Sequence, residues 1–151
     1  MPDLNLPASS LKIRKQNNKA FVLDRLRKQY VRFTPEEYVR QNFINYLIDY
    51  KKYPEGLLAN EVCIELGNVN RRCDTVLYDK SITAQMIIEF KAPTVAITQK
   101  TFDQIARYNM VLQVPWLIVT NGLNHYCCCI NQDGGYSFVK DIPEYDQLTI
   151  N

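Results

Sequence analysis

The chain has 151 residues, 46% of them apolar and 23% charged, with a formal net charge of +2. That is enough for one domain with its own core, and the composition excludes disordered and collagen-like classes. No run approaches the roughly 20 apolar residues that span a bilayer. Met1-Pro2-Asp3-Leu4-Asn5-Leu6-Pro7 lacks the basic leader and apolar stretch of a signal peptide, so a cytoplasmic location without membrane contact is expected.

In chain order, residues 1–10 read as a loose arm. Leu11–Arg14 and Ala20–Leu23 are short apolar-basic runs around Asn17-Asn18, a hairpin signal. The hairpin lies in a basic stretch. Leu11 to Phe33 holds Lys12, Arg14, Lys15, Lys19, Arg25, Arg27, Lys28 and Arg32 against one acid, Asp24, while the remainder of the chain is net acidic. Such a run fits a solvated face and equally a foothold for a polyanion such as DNA.

Thr34-Pro35-Glu36-Glu37 opens a helix: Thr34 as cap, Pro35 at the first helical position, Glu37 completing a capping box. Val39, Phe43, Leu47 and Tyr50, with Ile44 and Ile48 beside them, form its apolar stripe, and Pro54-Glu55-Gly56 marks a turn beyond it. Leu57–Leu66 and Cys73–Tyr78 read as antiparallel strands around Gly67-Asn68-Val69-Asn70. Ala84–Lys91 reads as a third strand ended by Pro93. A helix over Thr101–Gln113 turns Phe102, Ile105, Ala106 and Leu112 inward. Trp116–Thr120, closed by Asn121-Gly122, is a strand expected to run parallel to the one before that helix. His125–Ile130 is another, with Tyr136–Val139 pairing across Asp133-Gly134-Gly135.

The five cysteines, Cys63, Cys73, Cys127, Cys128 and Cys129, contain no C-x-x-C pair, which argues against a disulfide framework or a structural zinc site. In a strand, Cys127 and Cys129 share a face that Cys128 does not. His125, the single histidine, has no Ser or Cys partner in a recognisable elbow and reads as structural. The arm and basic hairpin (1–33) precede 34–151 in what is one compact domain overall, of α/β to α+β class, with a mixed sheet and at least two helices.

The residues that point to chemistry are Asp74 and, fifteen residues on, Glu89-Phe90-Lys91, at the polar edges of two apolar runs. Glu89 and Lys91 are two apart in a strand and share a face. Asp74 reaches that face if its strand is adjacent. Carboxylate oxygens suit Mg²⁺, which takes one or two of them and keeps several waters. Such an ion polarises a phosphoryl oxygen and lowers the pKa of water, and a nearby ammonium offsets charge on the phosphate. Metal-assisted phosphodiester hydrolysis needs these residue types. A carboxylate–lysine pair on a solvent face needs them too, and the spacing alone does not choose.

The whole stretch resembles the PD-(D/E)xK nuclease superfamily with its restriction-endonuclease-like fold, and more narrowly the N-terminal nuclease region of type I restriction enzyme R proteins. The matching pieces, over roughly residues 34–130, are the helix from Thr34 to Gln41, the strand Glu61–Ile64, Arg71-Arg72-Cys73-Asp74 with Thr75–Tyr78, Ile88-Glu89-Phe90-Lys91-Ala92-Pro93, the Q-x-x-x-Y pair Gln104 and Tyr108, and Thr120-Asn121-Gly122. The resemblance implies Asp74 and Glu89 as metal carboxylates, joined by Glu37 from the first helix where it is more than a cap. Lys91 becomes the water-positioning or charge-stabilising group. Gln104 joins the catalytic set, and Tyr108 and Arg72 contact substrate; Glu61 either approaches the site or is a strand-edge carboxylate. Implied with them are Mg²⁺ or Mn²⁺, DNA, and a homodimer or restriction-modification subunits as partners. Cys73 stands where that family usually has proline. The ATP-driven motor of R proteins has no counterpart, because no G-x-x-x-x-G-K-[ST] loop occurs. Two rivals stand beside a Mg²⁺-dependent deoxyribonuclease: a non-catalytic DNA-binding or assembly module of the same fold, and an interaction protein whose acids and lysine form surface ion pairs.

Overall fold

The computed structural model describes residues 1–150. It is a mixed α+β fold of two sheets and two α-helices. Strands β1 (Ile13–Gln16), β2 (Lys19–Asp24) and β3 (Gln29–Arg32) form an antiparallel three-stranded sheet. The β1–β2 turn places both Asn17 (φ 53°) and Asn18 (φ 64°) in the left-handed region, the pair that a two-residue hairpin of native twist demands. β3 has no counterpart among the expected strands, because four residues ending in Arg32 and exposed at both ends carry too little alternation to register.

Helix α1 (Pro35–Asp49) leads to the six-stranded sheet, ordered β4 (Leu58–Leu66), β5 (Val69–Tyr78), β6 (Ala84–Phe90), β7 (Trp116–Thr120), β8 (His125–Ile130) and β9 (Tyr136–Val139). Neighbours are antiparallel except β6 and β7, which are parallel and joined through helix α2 (Gln99–Leu112), as expected of strands flanking a helix. The β4–β5 turn is tighter than the sequence suggested: Val69 and Asn70 already belong to β5, and Gly67 alone supplies a positive φ of 60°.

Both faces of this sheet are covered. Val39, Phe43, Ile44 and Leu47 of α1 pack with Leu77, Met86, Ile88 and Ile118 on one side. Phe102, Ile105, Ala106 and Leu112 of α2 pack with Val76, Ile87, Leu117 and Val119 on the other. Cys127 belongs to the first cluster and Cys128 to the second, so the cysteine run splits across the sheet as strand alternation requires. Tyr50 departs from the expected stripe: it caps the C-terminus of α1 and is 55% exposed. The arm is not loose. Asn5 N–H donates to the Gly122 carbonyl (2.9 Å), Tyr38 Oη donates to the Pro2 carbonyl (2.7 Å), and Leu6 packs against the core.

The small sheet is fastened to the large one by a buried polar joint. Asp24, fully buried, accepts from the backbone N–H of Leu26 and Arg27 and from Nδ2 of Asn60 on β4, whose Oδ1 accepts from Thr75 Oγ1 (2.6 Å). The Arg27 guanidinium closes on it at 2.5 Å. Burial raises the Asp24 carboxyl, but these partners outweigh it and the net shift is downward. Asp24→Ala should therefore destabilise the protein by about 3 kcal/mol at neutral pH. The wild-type advantage should fade on acidification below the ordinary carboxylate pKa, because a depressed pKa stabilises only the ionised form. Urea titrations at pH 7 and pH 3 check both.

Candidate active site

Asp74 sits where the large sheet stops pairing regularly. The β5–β6 ladder ends at Thr75↔Ile88, and one step further along the same register sets Asp74 beside Glu89. Instead of a ladder bond, the N–H of Phe90 donates to Asp74 Oδ2 (2.9 Å). On the other side, the β4–β5 register runs from Asn60↔Thr75 to Val62↔Cys73 and skips Glu61, whose φ of 58° is left-handed inside a strand. A non-glycine residue in that region marks a backbone constrained by its surroundings. The Asp74 carbonyl, freed from the ladder, accepts from Arg40 Nη1 (2.9 Å).

Three carboxylate-bearing residues thus line up across β4, β5 and β6: Glu61, Asp74 and Glu89. Asp74 and Glu89 influence each other. Glu89 is 6% exposed, and its carboxyl is pushed up to about 8, first by burial and then by the Asp74 carboxylate, with Arg71 opposing. Arg71 Nη1 forms a buried ion pair with Glu89 Oε1 (2.5 Å), and neither atom has another hydrogen-bond partner. The Arg71 guanidinium also lies over the Tyr108 ring, 5.1 Å from its centroid. Tyr108 therefore reaches the site through Arg71, while Gln104, one turn earlier on the same face of α2, is exposed.

Lys91 follows β6 directly. Its N–H donates to the Thr120 carbonyl (2.9 Å), and its ammonium has no ion-pair partner among the described residues. The Thr120-Asn121-Gly122 turn braces this segment. Asn121, nearly buried, donates to the Val95 carbonyl and accepts from the N–H of Leu123 and Asn124. Gly122, at φ 86°, leaves room for Leu4, which a Cβ would meet at 2.7 Å. His125 has both ring nitrogens engaged, by Thr120 Oγ1 (2.7 Å) and the Asn5 carbonyl (2.9 Å), which accords with a structural role.

Glu37 lies on the α1 side of Asp74, in a cleft of about 160 Å³ lined also by Thr34, Glu36, Arg40, Glu61 and Phe90. Thr34 caps α1 as expected, accepting from the Glu37 N–H (3.1 Å), but the Glu37 carboxylate does not turn back to complete a box. It is gripped by Arg40 (2.6 and 2.9 Å) and accepts from Gln41 Nε2 (2.9 Å). Arg40 also holds Glu61 (3.0 Å), and Glu61 in turn accepts from Arg72 Nε (2.9 Å), leaving Arg72 mostly exposed. Among the described residues, no three His, Cys, Asp or Glu side chains gather closely enough to cage a metal ion. Asp74 and Glu89 remain a donor pair of the size Mg²⁺ takes from a protein when waters and phosphate oxygens complete its shell. Glu89 Oε1 is buried against Arg71 Nη1 (2.5 Å), so a cation bound at this carboxylate would take the place of that guanidinium.

Sequence reasoning did not single out Arg40 and Arg71. Arg40 had a signal, the i,i+3 spacing from Glu37 on one helix face. Arg71 had none, because its partners come from β6 and α2.

The raised Glu89 pKa means that the folded protein holds this proton more tightly than the unfolded chain does. The contribution of Glu89 to stability is then greatest below the ordinary value of 4.5 and falls as pH rises toward about 8. Glu89→Gln removes that loss, so the variant should gain on wild type by roughly 3 kcal/mol between pH 5 and pH 8, measurable by urea unfolding without metal. Parallel curves would mean that Glu89 is ionised throughout.

No helix of the described residues is long and apolar enough to cross a membrane. No curated protein matches the chain. The profile of one family, described as "Type I restriction enzyme R protein N terminus", matches residues 35–143, from the start of α1 to beyond β9.

Proposed function

We propose that this chain, which belongs to the family of type I restriction enzyme R protein N termini, is a nuclease domain of the PD-(D/E)xK kind that hydrolyses DNA phosphodiesters where Asp74 and Glu89 meet. The observation that carries the reading is the pairing of these two carboxylates at the broken end of the β5–β6 ladder; Lys91 follows β6 directly, with no ion-pair partner among the described residues.

Asp74 and Glu89 would hold Mg²⁺ or Mn²⁺, which supplies Lewis-acid polarisation of the phosphoryl group when bound. Asp74 is preset for this by the Phe90 N–H, which fixes one carboxylate oxygen. Lys91 offsets the charge that develops on the phosphate. Arg71 is the charged group in contact with Glu89 in the absence of a cation. Once relieved of that carboxylate, its guanidinium, steadied over Tyr108, is free to fork onto a substrate phosphate. Gln104 and Arg72, both exposed, flank the path of the backbone. DNA is the partner this family implies, in the company of restriction-modification subunits. Cutting both strands calls for a second copy or another subunit, and a cytoplasmic setting follows from a DNA substrate.

One observation favours a second reading, a non-catalytic DNA-binding or assembly module: Arg71 and Arg40 already satisfy Glu89 and Glu37. Incubation of supercoiled DNA with the protein in Mg²⁺, Mn²⁺ or chelator separates the two. Nicking that needs metal and is lost in Asp74→Asn, Glu89→Gln and Lys91→Ala supports the nuclease. Binding indifferent to metal, without nicking, supports the module, and nicking that survives all three substitutions removes the site assignment.

A further inference from the structure

The structure sorts seven of the eight basic residues between Leu11 and Phe33 into two groups; Lys15, exposed and on the opposite strand face from Arg14, belongs to neither. Arg25, Arg27 and Lys28 form ion pairs with Asp49, Glu55, Asp24 and Glu37. Lys12, Arg14, Lys19 and Arg32 pair with no carboxylate among the described residues and are all exposed. The register places Arg14, Lys19 and Arg32 on one face of the three-stranded sheet, and Lys12, whose carbonyl accepts from the Leu23 N–H (2.9 Å), extends β1 two residues before Arg14 on that face. Arg14, Phe21 and Arg32 form a row across β1, β2 and β3, and Tyr30 lies in the next row, opposite Leu23. The opposite face carries Val22 and Asp24, both fully buried against the body of the protein. Phe21 and Tyr30 are half-buried on the outer face, with the Arg14 guanidinium 4.0 Å from the Tyr30 centroid and that of Arg32 5.9 Å from the Phe21 centroid.

We infer that this face is a binding platform for single-stranded DNA, separate from the Asp74–Glu89 site. A row with a cation at each end and a ring between spans roughly 10 Å, which suits a base stacked in the middle with its phosphates to either side. Bases stack on aromatic rings and on guanidinium planes alike, and cations interleaved with aromatics on an open surface are what sequence-independent single-strand binding uses. A duplex offers only its phosphates to such a face, because its bases are already stacked. The choice of DNA over RNA rests on the nuclease reading; the platform itself does not require catalysis. A nuclease so equipped would grip a displaced or frayed strand.

Fluorescence anisotropy in chelator, with the full chain, a labelled oligothymidylate of about 20 nucleotides and a duplex of equal length, tests the platform apart from cleavage. The single strand should bind more tightly than the duplex. Lys12→Ala/Lys19→Ala, at exposed positions, should weaken single-strand binding roughly tenfold and lower the slope of log affinity against log salt by about 0.7 per cation removed. Tyr30→Leu, which keeps an apolar side chain, should weaken the single strand several-fold and the duplex hardly at all. Lys80→Ala/Lys140→Ala, an equal charge change elsewhere, should do little. A duplex bound as tightly as the single strand, equal losses in the control, or an unaffected Tyr30→Leu would overturn the platform. None of these results bears on metal-dependent nicking.

Discussion

Asp74→Asn and Glu89→Gln are each expected to lower Mg²⁺-dependent nicking of supercoiled DNA by roughly 10²–10³-fold, and Lys91→Ala by a comparable factor. Removing one preorganised charge from a reacting phosphate costs that much in other enzymes, and the two carboxylates act as one unit. The double variant Asp74→Asn/Glu89→Gln should therefore lose little more than either single one. The pH dependence adds a second signature. With Glu89 pushed up to about 8, a cation must displace its proton at neutral pH, so apparent metal affinity should climb by up to tenfold per unit from pH 6 and level off near pH 8. Glu89→Gln should abolish the climb. Calorimetric titration of Mn²⁺ at several pH values reads this directly. A flat affinity profile in wild type would mean that Glu89 does not meet the metal.

The fold was legible where periodicity was long and turn chemistry explicit. α1 was marked by Thr34-Pro35 and its stripe, α2 by Phe102, Ile105, Ala106 and Leu112, and the β1–β2 and β8–β9 turns by Asn17-Asn18 and Gly134-Gly135. β3 escaped because a four-residue strand exposed at both ends has too little pattern of its own and is defined by its pairing with β2. The arm escaped for the same reason: its backbone bonds go to Gly122 and Tyr38, more than thirty residues away. At the site, the sequence could name the acids and the lysine but not their counter-charges. Which guanidinium neutralises which carboxylate depends on the break in the ladder at Asp74, and the left-handed Glu61 that accompanies it is a conformation no propensity would assign to a glutamate in a strand.

Arg40→Ala should be the most destabilising single change at the site, by about 3–5 kcal/mol, or roughly 10 °C in Tm. The Arg40 side chain is buried, and its guanidinium serves four acceptor atoms: both oxygens of Glu37, one of Glu61, and the Asp74 carbonyl. Burial by itself lowers an arginine pKa, yet Glu37 and then Glu61 more than reverse this, so the guanidinium is fixed by its acids. Truncation leaves Glu37 buried with Gln41 Nε2 and a distant Arg27 at 3.8 Å, and it leaves the Asp74 carbonyl without its donor. An uncompensated buried charge is the expensive result; removing both charges is not. Arg40→Met/Glu37→Met should accordingly recover most of the stability lost in Arg40→Ala. If the double variant is no better, the cost lies in the Asp74 carbonyl and the ladder break rather than in the ion pair. In that case nicking should fail in both variants, because Asp74 is then held in place by the bond from Arg40 to its own backbone.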